Sequence, residues 1–334
     1  MENRKENNFH ITKREVCWSV KLFTIAVLIS CFLSMFFYIL SLVSFSSESV
    51  DMAITSTTSM AMQKVDSAAK HLDLIWSIFL FNSLAVVTTS IGPGILSYIL
   101  NISVAELKLR ARNKKYTTLS VKLEKLFQLV TLVIKDILQK LDPDVSRLRA
   151  QDNSEKADSV WKRANYSKEN FRLLAYVIPY LIPVITLTMN GMLLGITLSF
   201  FVFNGALSFY DLAGSQGIVP GMLFSIAYFL AHILPHGIIE LPVIIIAGAI
   251  GYRFAIMYSG KILEDKLLLG DEIEKLERDM MIINDIALAY IRSRYLWAMV
   301  SIIVIFLWVA AWIEANITPT IAQEVANFLG DLLI

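Results

Sequence analysis

The 334-residue sequence has few of the residues from which most sites are built, with only two cysteines and four histidines. Cys17 and Cys31 fall in one stretch of helical pattern. At a rise of about 1.5 Å per residue they lie roughly 21 Å apart, whereas bridged Cα atoms lie within about 7 Å. A disulfide between them is excluded, and no cysteine pair exists for zinc. H-E-x-x-H is absent, Gly92-Pro93-Gly94 lacks the rest of a dinucleotide-binding G-x-G-x-x-G, and no G-x-S-x-G nucleophile elbow occurs. Charge of one sign is missing too: 30 basic and 29 acidic residues leave +1. Nucleic acid is therefore not an expected partner.

Apolar residues are abundant instead. They make up 56% of the chain, and mean hydropathy is +0.59, against roughly 45–50% apolar in soluble domains. They come in blocks of the length that crosses a bilayer, about 20 residues each. Six blocks stand out: Leu22 to Val43, Leu74 to Leu100, Leu173 to Phe203, Ile218 to Leu234, Ile238 to Tyr258 and Leu296 to Ala315. The first is too long for a signal peptide and has no cleavage pattern after it, so it reads as a retained anchor. The third is long enough to need tilting or breaking.

Lys and Arg near span ends set orientation. Residues 1–18 carry four, 101–172 sixteen and 259–295 six; 44–72 carry two, and 204–218 and 316–334 none. This places the N-terminus, 101–172 and 259–295 in the cytoplasm, and the C-terminus outside. An odd number of crossings is then required of six blocks. The predicted fold is an all-α polytopic membrane bundle with five full spans and one re-entrant or broken segment at Pro235-His236-Gly237. The segments divide as 1–100 (tail and two spans), 101–172 (cytoplasmic insertion), 173–258 (membrane core), 259–295 (cytoplasmic amphipathic helix) and 296–334 (last span and external tail). The expected location is the cell membrane.

Each cytoplasmic segment carries a heptad seam. Leu119, Leu123, Leu126, Val130, Val133 and Ile137 repeat at 4-3-4-3-4. Leu269, Ile273, Leu276, Met280, Ile283, Ala287 and Tyr290 repeat at 4-3-4-3-4-3. Such seams pack on a partner helix. They predict a cytoplasmic helical hairpin or coiled-coil insertion, or seams laid on the bundle's end. The stretch 142–168 has no strong period and reads as linker or weak helix.

Ionisable residues inside spans are functional candidates. His232, Pro235, His236, Gly237 and Glu240 form the main polar cluster. Three readings stand: the side chains satisfy a broken backbone, they relay a proton or ion, or two histidines and a glutamate hold a metal. The metal is the weakest of these, and neither metal nor cofactor is expected. Asn190, Gly191 and Gly195, with Gly191 and Gly195 forming a G-x-x-x-G step, read as helix-packing positions. Asn101-Ile-Ser103 and Asn316-Ile-Thr318 fit the glycosylation pattern.

Three stretches resemble the stage II sporulation protein M family. They are Leu234 to Pro242 followed by the small-residue run Ala247-Gly248-Ala249-Ile250-Gly251, the Asn190 to Gly195 step, and Ala310 to Pro319. The second span, with Phe79 to Asn82 and Gly92-Pro93-Gly94, is also similar to it. The P-H-G-x-x-E piece is the most specific. The resemblance covers 74–100 and 173–319. It implies a membrane-integral protein without enzyme activity, whose sporulating member holds two peptidoglycan-degrading partners at the septal membrane. It adds Gly248 and Gly251 to the packing positions and makes Glu314 and Pro319 an end-of-span motif. The 101–172 insertion departs from the family pattern. The expectation is a membrane scaffold, not an enzyme, with the lipid bilayer, unidentified proteins and a second copy of the chain as partners. The rival is a permease or export component with a His/Glu pathway.

Overall fold

A computed structural model describes residues 9–44, 74–122 and 159–333. All regular structure among them is helical. In chain order the helices are α1 (Lys13–Ser44), α2 (Leu74–Leu96), α3 (Ile99–Arg112), α4 (Val160–Ala164), α5 (Lys168–Ala213), α6 (Ile218–Glu264), α7 (Ile273–Ile291), α8 (Arg294–Asn316) and α9 (Thr318–Leu333). Residues 114–122 are helical as well. Four stretches are long and apolar enough to cross a membrane: Lys13–Ser41, Leu74–Arg112, Lys168–Glu264 and Arg294–Asn316. The third holds both α5 and α6, joined by a single 3-10 turn at Gly214–Gly217.

The expected break at Pro235-His236-Gly237 is absent. α6 runs unbroken for 47 residues with Pro235 and Pro242 inside it, a length of about 70 Å at 1.5 Å per residue. The reason lies in what a break would expose. A proline inside a helix costs one hydrogen bond and a local clash. A chain break in hydrocarbon strands several donors and acceptors that water cannot satisfy. Keeping the helix is the smaller loss. The fourth and fifth apolar blocks are thus one element, and Gly237 is a helical residue, not a turn. α5 is likewise continuous through Pro179 and Pro183. One turn before Pro179, the buried Ser259 hydroxyl donates to the Tyr176 carbonyl at 2.7 Å. Just after Gly92-Pro93-Gly94, α2 stops at Leu96, and the Ser97 hydroxyl donates to the Pro93 carbonyl at 2.8 Å.

The described residues gather into two compact units. One comprises those of Met1–His10, Ile91–Ile182 and Ile250–Leu296, and the other those of Ile11–Ser90, Pro183–Ala249 and Trp297–Ile334.

The first unit is where most of the charge is anchored. In α7 the second seam behaves as its spacing requires: Leu276, Met280, Ile283, Ala287 and Tyr290 are all buried, while Leu269 and Ile273 at its start are half-buried. Its partner is α3. An Asn101–Asn284 pair exchanges amide hydrogen bonds at 3.2 and 3.0 Å, and Lys108 pairs with Glu277. Asn101 is therefore a packing residue. Of the first seam, only Leu119 is described, and it is exposed; Leu123, Leu126, Val130, Val133 and Ile137 lie outside the described residues.

The connection from α6 to α7 is held from both sides. α4 begins with Ser159 as its N-cap, and its Trp161 is buried with Nε1 donating to the Gly270 carbonyl at 2.8 Å. The Val160 N–H donates to the Asp271 carbonyl at 2.9 Å, and Lys168 pairs with Asp271 at 3.5 Å. Arg172, fully buried, donates from Nε to the Leu267 carbonyl at 3.2 Å. The loop itself is strained. Leu268 is buried at φ +63°, a left-handed conformation that a branched side chain rarely adopts. Its N–H donates to Asp279 Oδ2 at 2.8 Å.

That hydrogen bond holds the strained loop on α7. Removing its acceptor leaves a buried N–H unpaired, which costs about 1–3 kcal/mol. Asp279→Ala is expected to lower the thermal midpoint in detergent by several degrees. Glu277→Gln, which loses only the exposed pair with Lys108, is worth at most about 1 kcal/mol. Equal midpoints for the two variants would contradict the assignment.

Candidate functional site

The second unit contains the polar cluster. His236 and Glu240 stand four residues apart on α6, which places them on one face of a helix. Glu314, two residues before the end of α8, meets them. One ligand atom from each of the three residues lies within 4.8 Å of the other two. His236 is 8% exposed and both glutamates are half-buried. Neither carboxylate has a cationic partner among the described residues.

α8 and α9 are separated by Ile317 alone. This brings Thr318, the first residue of α9, beneath the cluster. Its buried hydroxyl contacts His236 Nδ1 at 3.3 Å and donates to the Ile313 carbonyl at 3.4 Å. Nδ1 is thereby engaged, leaving Nε2 as the second nitrogen of the ring. Thr318 is also the threonine of the Asn316-Ile-Thr318 triplet, whose Asn316 and Ile317 are exposed. Pro319 is exposed in the first turn of α9, where its missing N–H has no partner to lose.

His232 does not join. A separation of eight residues rotates a helix by about 80° beyond two full turns, so His232 and Glu240 face different directions. The His232 ring lies against Tyr228 at 4.4 Å between centroids and near Phe201 at 6.4 Å, and Nδ1 contacts the Tyr228 carbonyl at 3.1 Å. It belongs to an aromatic group. Pro235 lies between the two histidines inside the helix, and Gly237 is buried against its own helix, with Ile233 Cγ2 3.1 Å from where a Cβ would stand. The spacing at four and four pointed at a shared face. What it could not show was Glu314, brought in from α8.

Gly191, Gly195, Gly205, Gly221 and Gly248, on α5 and α6, lie against neighbouring elements. A Cβ on Gly191 would lie 2.7 Å from the Phe23 carbonyl oxygen and 2.9 Å from the Ala26 Cβ. A Cβ on Gly195 would collide with the Val27 carbonyl and the Ser30 hydroxyl. Ser199, one turn on, donates to the Cys31 carbonyl at 3.1 Å. These residues put α1 and α5 in backbone contact. The α5–α6 hairpin is closed in the same way by Gly205 and Gly221, each occupying the space of the other's missing Cβ. Sequence reading overlooked this second pair because its two glycines lie on different helices. Gly248 seats Leu187, whose Cδ1 would be 2.6 Å from a Cβ there. Gly251, in the first unit, is buried. Asn190 differs from expectation: its amide donates to the Thr186 carbonyl of its own helix at 2.8 Å.

Every residue of the cluster, and the glycines of α5 and α6, fall within one recognisable stretch. Residues 170–319 match the stage II sporulation protein M family. The match runs from the start of α5 to the first turn of α9, and the likeness drawn at 74–100 lies outside it. No curated protein and no solved structure matches the chain. Within the stage II sporulation protein M stretch, His236, Glu240 and Glu314 are the ionisable residues that the fold draws together.

Overpacking a tight contact costs typically 1–3 kcal/mol. Gly195→Ile is therefore expected to lower the thermal midpoint in detergent by several degrees and to loosen α1. Gly260→Ala, at a helical site with nothing within 4 Å, should leave the midpoint unchanged or raise it through helix propensity. A Gly195→Ile midpoint no lower than that of Gly260→Ala would rule out backbone contact between α1 and α5.

Proposed function

We propose that this protein is an integral membrane scaffold, like the sporulating member of the stage II sporulation protein M family, holding partner proteins at the membrane. The observation that carries this reading is the packing of the second unit. α1, α5 and α6 touch backbone to backbone through Gly191, Gly195, Gly205 and Gly221, the mode by which helices in lipid reach dispersion contact without help from water. Such a body is rigid, and rigidity is what a platform for other proteins requires. The family match over 170–319 supports it. The outer surface of α1 supports membrane integration: Leu28, Ile29, Phe32, Phe36, Phe37 and Ile39 are each more than half exposed, as suits a helix facing lipid.

The crossings are α1, α2, α5, α6 and α8. Five is the odd number that the Lys/Arg distribution demands. The short 3-10 turn and α9 then lie outside, where 204–218 and 316–334 carry no basic residue. Residues 101–172 and 259–295 lie in the cytoplasm and offer the docking surface. Leu276, Met280, Ile283, Ala287 and Tyr290 of the second seam are already buried, so the first seam, at Leu119 to Ile137, is the one that takes a partner or a second copy. The export-component reading drew on a broken helix, the device by which transporters build sites. α6 supplies no such break.

Replacing Leu126 and Val130 with Asp places two charges on that seam. The expected outcome is loss of copurifying proteins or of the oligomer on gel filtration, with insertion in the membrane retained. Unchanged partners and an unchanged oligomeric state would remove the seam from the scaffold's working surface.

A further inference from the structure

We propose that His236, Glu240 and Glu314 bind a divalent transition-metal ion of the zinc class, which staples α6 to the end of α8. Four observations support this. The three side chains come from two helices and present an imidazole nitrogen and two carboxylate oxygens within 4.8 Å of one another. That donor set suits Zn²⁺ and its neighbours in the first transition row. The carboxylates have no cationic partner among the described residues. His236 is more than nine-tenths buried, and Thr318 contacts its Nδ1 at 3.3 Å.

Two adjacent carboxylates repel each other when both are ionised. Neither is paired with a lysine or arginine among the described residues. One divalent cation balances both charges. A bound zinc ion stands about 2.1 Å from each donor and so draws donors to within about 3.5 Å of one another.

The contact of Thr318 with Nδ1 matches the outer-shell pattern of metal-bound histidine. Such a partner fixes the ring and presents the other nitrogen to the ion. Thr318 opens α9, so the ion also couples the start of that helix to α6. Three protein ligands leave one position for water. The site needs no H-E-x-x-H motif, because His236 and Glu240, four residues apart on α6, supply the two ligands that the histidines of that motif supply elsewhere.

The test uses the full chain, purified in detergent, stripped with EDTA and dialysed. The proposal expects one Zn²⁺ per chain by elemental analysis after reloading, a visible Co²⁺ ligand-field spectrum, and a thermal midpoint that falls with EDTA and returns with Zn²⁺. Glu314→Gln and His236→Ala are expected to weaken Zn²⁺ binding at least tenfold. Thr318→Val, which removes the partner of His236 Nδ1 but no donor to the ion, should weaken it about tenfold. If a ligand variant fails to fold, the wild-type stoichiometry, Co²⁺ spectrum and midpoint still decide. A wild-type chain that takes up no stoichiometric Zn²⁺ or Co²⁺ overturns the proposal, as does a folded Glu314→Gln that binds Zn²⁺ as tightly as wild type.

Discussion

Hydrocarbon offers no partner to a backbone N–H or C=O, and each long element of this chain answers to that constraint. It keeps α6 helical through two prolines and α5 through two more. The connection between them is a four-residue 3-10 turn. Because lipid is as apolar as leucine, helices cannot be driven together by the hydrophobic effect, and they associate where backbones fit closely. The glycines at 191, 195, 205 and 221 are where they do so here.

The same constraint separates what was legible in the sequence from what was not. Hydropathy located the apolar helices because the bilayer imposes a length. The period of the seam from 276 to 290 was legible because burial of one face leaves a 3.5-residue repeat in the sequence, and Leu276, Met280, Ile283, Ala287 and Tyr290 are buried. Pro235 misled because the breaking rule comes from helices in water, where a freed carbonyl has a solvent partner. Without the break, the two apolar blocks become one helix. Glu314 was placed near water at a span end. Its approach to His236 and Glu240 depends on how α8 lies against α6, which no local pattern records.

Two further elements were missed for different reasons. α4 is five residues long, too short for any periodicity, and lies in a charged stretch. Its only signal was Trp161 behind a capping Ser159. α9 did leave a pattern: Ile321, Val325, Phe328 and Leu332 recur at 4-3-4. The last span simply drew attention away from it. The Asn101–Asn284 pair shows the opposite case, a residue whose motif suggested modification and whose geometry makes it a packing contact.

A single crossing by α6 joins these points, since it sets the orientation of the segments that follow and carries two of the three clustered residues. Its most direct test is sided labelling of single cysteines in a background with Cys17 and Cys31 replaced by serine. Ser215, in the 3-10 turn before α6, and Lys266, in the loop after it, are both exposed. The account predicts that a membrane-impermeant thiol reagent labels a cysteine at 215 from outside and one at 266 only from the cytoplasmic face. Labelling of both positions from the same side would contradict it, because the segment between them would then turn back within the membrane.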